Sequence, residues 1–267
     1  MKYLTNAINF MIRNWLLILP VFILMAIVNL VVGTGSKISF ESMKDLASAN
    51  NLTDPGKILA AVVALAGAFV GAGILGFIIK FIYEPATYGL VNKGLETGNT
   101  GLNDLGAAIG ANFVKYVIYF VGMLVVGLAA GVAATLLMVL LGLVLSLLKG
   151  LGIFLMIIVV LALILFFIVL FVLLSLWFAA MVVDGLDVVA AARRSVEVVK
   201  DCFWTILGIT VLVGIACAAA GWILGLLSVI PLLGPIIASV VPAVQYFLMT
   251  VFYLIVYREK TGKTVLA

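Results

Sequence analysis

The most regular feature of the chain is a set of long runs in which apolar residues follow one another with almost no charge between them. A helix needs about 20 mostly apolar residues to cross a bilayer. Runs of that kind lie at about 15–33, 58–83, 116–148, 151–183, 203–229 and 236–257. They predict an all-α, polytopic transmembrane helical bundle of six spans, forming a single integral membrane domain over 1–267. The third and fourth runs meet at Lys149-Gly150, and the sixth follows a Pro231-Leu-Leu-Gly-Pro235 turn that no helix crosses unbroken. The third and fourth are long: each would make a helix of about 50 Å, against a hydrocarbon core of about 30 Å. They are expected to tilt, to kink at Gly127 or Gly131, or to project beyond the bilayer.

A second period precedes the odd-numbered spans. From Lys2 to Trp15, Lys2, Thr5, Asn6, Asn9 and Arg13 share one arc of a helical wheel, while Tyr3, Leu4, Ala7, Ile8, Phe10, Met11 and Ile12 take the other. From Leu186 to Cys202, Asp187, Arg193, Arg194, Glu197, Lys200 and Asp201 oppose a face of Val188, Val189, Ala191, Ala192, Val196, Val198 and Val199. Between Leu102 and Lys115, Leu102, Leu105, Ile109 and Phe113 form a narrower stripe at helical spacing. These segments predict interfacial helices on the cytoplasmic side. The reading is three repeats of a two-span unit: interfacial helix, span, outer turn, returning span. The segment from Leu186 to Cys202 balances its charges, and its spacing allows Arg194–Glu197 and Glu197–Lys200 pairs. A structural elbow is the role expected of it.

Composition excludes the alternatives. Of 267 residues, 66% are hydrophobic and only 10% charged, against about 25% charged in an ordinary soluble domain. Mean hydropathy is +1.40. The net charge of +4 is scattered in ones and twos at span ends, not clustered into the patch that nucleic acid needs, so no nucleic-acid partner is expected. Lys2, Arg13, Lys80, Lys93, Lys115, Arg193, Arg194, Lys200, Arg258, Lys260 and Lys263 fall on the face holding both termini. Lys37, Lys44, Lys57 and Lys149 fall on the other. Eleven basic residues against four place both termini in the cytoplasm of a multi-pass cell-membrane protein. The first run is longer than a signal-peptide core and lacks a small-residue cleavage site, and is read as a retained span.

Candidate chemistry is sparse. The chain has no histidine, which removes His-liganded zinc, a Ser-His-Asp triad and a histidine proton relay. Cys202 and Cys217 make no disulfide framework. No catalytic, cofactor-binding or metal-ligating residue is assigned. Lys80 is expected about one turn from the end of the second span, able to snorkel to the interface and to pair with Glu84. With essentially no other ionisable group inside a span, ion-coupled transport is disfavoured. The Asp184-Gly185…Ala192-Arg193 interval is too long for the metal site of CDP-alcohol phosphotransferases. Gly67-x-x-x-Gly71, Gly127-x-x-x-Gly131 and Gly221-x-x-x-Gly225 are expected to let helices of the same chain approach closely. Asn51-Leu52-Thr53 matches a glycosylation sequon on the outer loop.

Two cytoplasmic stretches carry a family likeness. Glu84-Pro85-Ala86-Thr87-Tyr88-Gly89-Leu90 leaves the second span, and Ala192-Arg193-Arg194-Ser195, with Lys200 and Trp204, enters the fifth. This pattern resembles prokaryotic six-span membrane proteins, uncharacterised families among them, related to the membrane domain of glycerophosphodiester phosphodiesterases. The resemblance implies a membrane module whose hydrolase, where present, is a separate barrel of about 250 residues, so no catalytic residue is carried over.

The expectation is a non-enzymatic integral membrane protein that handles lipid or another apolar solute, or supports a membrane partner that does, without a cofactor. Its expected partners are the lipid bilayer, a bound lipid, and a homo-oligomeric copy or a membrane partner protein. A second reading is a membrane-bound enzyme acting on lipid headgroups through Glu84, Asp104, Asp184 or Asp187. A third is a structural or assembly subunit of a membrane complex.

Overall fold

The computed structural model describes residues 2–31, 55–147, 151–226, 230 and 233–266, with backbone alone for 55–72, 144–147 and 151–153. The helices are α1 (Lys2–Arg13), α2 (19–31, entered through a tight turn at Trp15–Ile18), α3 (Pro55–Thr97), α4 (Leu105–Leu147), α5 (Leu151–Leu173), α6 (Trp177–Val183), α7 (Val188–Lys200), α8 (Phe203–Gly225), α9 (Leu233–Ala238) and α10 (Val240–Lys260). No strand occurs among the described residues, and the protein is an all-α helical bundle. Among the described residues five helical stretches are long and apolar enough to cross a membrane, and six if α1 and Trp15–Val31, which meet at 90°, count as one. The bulky apolar side chains of α4 and α5 face outward: Leu128 is 68% exposed and Phe154 64%. Such surfaces offer water nothing to hydrogen-bond, and they suit a multi-pass membrane protein.

The two strongly amphipathic segments fold as separate helices. α1 buries Ala7 and Phe10 and stops where the Asn14 side chain donates to the Phe10 carbonyl at 3.0 Å. α7 starts at Asp187, whose Oδ1 accepts from the backbone N–H groups of Val189 and Ala190, both at 2.9 Å, satisfying two orphan donors of the first turn. The third segment, 102–115, is not a separate interfacial helix. After a short turn at Leu102–Asp104 it continues into α4 without a break, so among the described residues a separate amphipathic helix precedes a span only at α1 and α7.

The expected second span also differs. α3 does not end near Tyr83 but runs on to Thr97 with Pro85 inside it. A proline removes the donor that the carbonyl four residues earlier would receive. Packing offsets that loss, because Ala86, Thr87, Tyr88, Leu90, Val91 and Leu95 are all buried. Gly98 (φ 71°), Gly185 (φ 66°) and Gly262 (φ 71°) turn the chain just past α3, α6 and α10, a left-handed position that glycine takes without strain.

α4 passes Gly127 and Gly131 as continuous helix. It is the fourth run that breaks, at Leu174-Ser175-Leu176. The break is hydrogen-bonded rather than open. Ser175 Oγ donates to the Val172 carbonyl and Ser195 Oγ to that of Leu173, both at 2.7 Å. Trp177 Nε1 donates to the Val188 carbonyl, also at 2.7 Å. In the sixth run, α9 and α10 meet at Ser239, whose hydroxyl donates to the Pro235 carbonyl and accepts from Asn29 Nδ2.

The glycine pairs expected to bring helices of this chain together do not do so where they are described. At Gly127, Gly131, Gly221 and Gly225 an added Cβ would meet nothing within 4 Å. Close approach occurs at Gly89, Gly94 and Gly122 instead. A Cβ on Gly94 would lie 2.8 Å from the Phe10 ring, and one on Gly122 would lie 2.8 Å from Val188. The side chains of Gly67-x-x-x-Gly71, the sequon, and Lys37, Lys44, Lys57 and Lys149 lie outside the described residues.

Both chain ends come to one end of the bundle. Lys2 Nζ pairs with Glu259 at 3.3 Å. Arg258, only 4% exposed, donates to Asn92 at 2.6 Å and to the Thr264 carbonyl at 2.8 Å. The Leu266 N–H meets the Leu95 carbonyl at 2.8 Å. These contacts clasp the C-terminal tail across the ends of α3 and α10.

Candidate functional site

Tyrosine is unevenly placed in the folded chain. Tyr83, Tyr88, Tyr116, Tyr119 and Tyr246 all lie within electrostatic range of one carboxylate, Glu84, and Tyr253 joins the same group beside Tyr88 and Tyr119. Six of the eight tyrosines of the sequence therefore gather around one acidic side chain. Three helices deliver them: α3 brings Tyr83, Glu84 and Tyr88, α4 brings Tyr116 and Tyr119, and α10 brings Tyr246 and Tyr253. Edge-on ring contacts fix their positions. Tyr83 meets Tyr246 at 4.9 Å, Tyr88 meets Phe178 at 4.7 Å, and Tyr119 meets Trp177 at 5.5 Å.

Glu84 and four of these tyrosines, Tyr88, Tyr119, Tyr246 and Tyr253, wall one end of a cavity of about 340 Å³ between α3, α4, α5 and α10, a size that suits a small ligand. Glu84, Tyr88, Tyr119, Ser175, Tyr246, Thr250 and Tyr253 make the polar end. Met123, Val126, Gly127, Ala130, Phe167, Leu170 and Phe171 make an apolar end further along α4 and α5. Lys80 Nζ stands 3.4 Å from Glu84 Oε1, and the Glu84 side chain is only 13% exposed. Lys80 does not line the cavity. The buried Tyr246 hydroxyl lies close to Glu84 and Thr250.

The expected pairing of Lys80 and Glu84 is thus present, but not near a helix end. Because α3 extends to Thr97, Glu84 sits 13 residues, about 20 Å of rise, before that end. Pro85 is buried directly behind it. Gly89 is where α3 touches α4: an added Cβ would lie 2.6 Å from Asn112 Nδ2 and 2.8 Å from the Ala108 Cβ.

The remaining sequence-derived candidates belong to the elbow. Arg193 and Lys200 are exposed on α7, and Arg194 pairs with Glu197 at 3.2 Å. Ser195 is fully buried under the α5–α6 break. Trp204, 79% exposed, packs edge-on against Phe203 at the start of α8.

The acidic residues considered for headgroup chemistry each have their own partner. Asp104 pairs with Lys93 at 2.7 Å. Asp187 caps α7. Asp184 accepts from the Tyr257 hydroxyl and pairs with Lys263. Burial works to raise the Asp184 carboxyl, but the hydrogen bonds from Lys263 and Tyr257 outweigh it and hold the group below the usual carboxylate range. Burial pushes the Cys202 thiol up, away from a reactive thiolate. Among the described residues no group of three or more His, Cys, Asp or Glu could hold a metal ion.

A second cleft of about 420 Å³ lies between α3 and α4, lined by Asn92, Lys93, Glu96, Asp104, Asn112 and Lys115 among others. It is larger, but its walls are largely occupied with each other. Lys93 is held by Asp104, and Arg258 ties Asn92 to Glu96. The tyrosine-lined cavity, with an apolar end and a buried carboxylate, is the better candidate.

The tyrosine cluster is scattered over 170 residues of sequence, so local motifs do not reveal it. One signal was present: Tyr246, Tyr253 and Tyr257 recur at intervals of seven and four, which places them on one helical face.

No curated protein and no solved structure matches the chain. A family match covers almost its whole length, from residue 2 to residue 258, under the description Domain of unknown function (DUF7847). The chain belongs to that family.

Proposed function

We propose that the protein is a non-enzymatic integral membrane protein that binds a lipid or another apolar-tailed solute, with both termini in the cytoplasm. The observation that carries this reading is the cavity at Glu84, polar at one end and apolar at the other. Its depth supports the same reading. Tyr246 precedes Tyr257 by 11 residues of α10, about 16 Å of rise. Tyr257 lies in the layer of ion pairs formed by Asp184, Lys263, Lys2 and Glu259. The polar end of the cavity therefore lies about 16 Å along the bundle from that charged layer, and an ionisable group facing a cavity inside a helical membrane protein is the usual mark of a ligand site. Orientation rests on the excess of Lys and Arg on the face that holds the termini.

The likeness to the membrane domain of glycerophosphodiester phosphodiesterases fits this reading. Its first stretch, from Glu84 to Leu90, supplies part of the cavity wall, and its second, from Ala192 to Trp204, forms the elbow. An enzyme acting on headgroups gains less support, because Asp104, Asp184 and Asp187 are engaged in capping or ion pairs.

Native mass spectrometry of the full chain released from mild detergent tests the proposal. The expected result is a retained amphiphile that is lost from a folded Ala130→Trp variant, whose indole would fill the apolar end. A bare monomer with nothing retained overturns it, and stable co-purification of a second protein in place of lipid favours an assembly subunit.

A further inference from the structure

Resting on the reading of the cavity as an amphiphile site, we infer that its occupant carries an ammonium headgroup, seated against Glu84 among Tyr88, Tyr119, Tyr246 and Tyr253. The polar end offers acceptors and π-systems and has no cation of its own. Among the described residues lining the cavity, Glu84 alone is charged, and the other polar groups are four phenols, Thr250 and Ser175. Lys80 reaches one carboxylate oxygen, Oε1, from outside the cavity wall, and its side chain is 47% exposed. Glu84 itself lines the cavity. A carboxylate accepts strong, charge-assisted hydrogen bonds from an ammonium, and phenol oxygens accept further ones. Tyrosine rings around a desolvated cation add an attraction that a neutral or anionic headgroup lacks. The buried Tyr246 hydroxyl stands beside Glu84 and Thr250, at the edge of the same polar end. An anionic headgroup would find no cation among the described lining residues, Lys80 being engaged by Glu84 from outside the wall. The apolar end, bounded by Met123, Val126, Ala130 and Phe171, takes the chain of the amphiphile.

The test is calorimetric titration of the full chain in nanodiscs, with empty nanodiscs subtracted, using octylammonium, octanol and octyl sulfate. Octylammonium is expected to bind about tenfold tighter than octanol, and octyl sulfate weakest. In Glu84→Gln, checked for an unchanged unfolding midpoint, the ammonium preference falls to within about twofold while octanol binding persists. Lys80→Met, which removes the competing cation, raises the preference for octylammonium. If Glu84→Gln does not fold, this second variant decides, and an unchanged preference overturns the inference. Equal affinity for octylammonium and octanol in the unaltered protein overturns the headgroup assignment and leaves the amphiphile site standing. Failure of all three to bind overturns both.

Discussion

The Ser195 hydroxyl on α7 donates a 2.7 Å hydrogen bond to the carbonyl of Leu173 at the end of α5, 22 residues earlier. Helix ends leave carbonyls without intrahelical donors, and this one sits where the fourth apolar run breaks, under a fully buried serine. One side chain therefore closes the break and fixes the amphipathic elbow to it. Ser195→Ala is expected to cost about 1–3 kcal/mol, the penalty of leaving a buried acceptor unmet. Equilibrium unfolding in mixed micelles measures it, and a loss below about half a kcal/mol would show that another donor takes over.

Asp184 gives the fold an acid-side dependence. Its carboxyl is held below the ordinary value in the folded protein, so the unfolded chain binds the proton more readily. The stability it contributes is complete above the ordinary carboxylate value near 4 and is lost as pH falls through the lower, folded value. The side chain is 18% exposed, and after screening by solvent the contribution is about 1 kcal/mol at most. Asp184→Asn should lower the unfolding midpoint at neutral pH and approach the unaltered protein in acid. A difference that stays constant from pH 7 to the acid end would contradict this account.

Gly89 and Gly131 make opposite predictions for the same change. At Gly89 a Cβ would collide with the Ala108 Cβ and with Asn112 Nδ2, and Asn112 is itself tied to the Ala108 carbonyl at 2.9 Å. Gly89→Ala is expected to destabilise the α3–α4 contact by about 1–3 kcal/mol. At Gly131 nothing lies within 4 Å, so Gly131→Ala should be neutral or stabilising by up to about 1 kcal/mol through helix propensity. Paired unfolding curves in one detergent check the order, and equal effects would contradict it.

The legible parts of the fold are those whose signal is local. α1 and α7 can be read from the sequence because a helix lying on a boundary sorts its side chains every 3.6 residues, and Phe10 and Val199 are buried where that sorting places them. The extension of α3 to Thr97 was not legible. Falling hydropathy and Pro85 both signal an end, and only burial of Leu90, Val91 and Leu95 against other helices overrides them. The break at Ser175 was hidden for the converse reason: uniformly apolar residues surround it, and the donor that stabilises it, Ser195, lies in another helix. Tertiary geometry also decides the role of Glu84. Read as a residue beside a span end, it is half of a surface ion pair. Within a continuous α3, with tyrosines arriving from α4 and α10, it becomes the charged point of a cavity.

The gathering of six tyrosines has a spectroscopic consequence. Phenol absorbance and its shifts on ligand binding normally average over a whole protein, but here Tyr3 and Tyr257 are the only tyrosines away from the cluster. The tyrosine part of the ultraviolet difference spectrum, read apart from the four tryptophans, is therefore a built-in label for one small chamber and the rings packed behind it, readable in a membrane without attaching a dye.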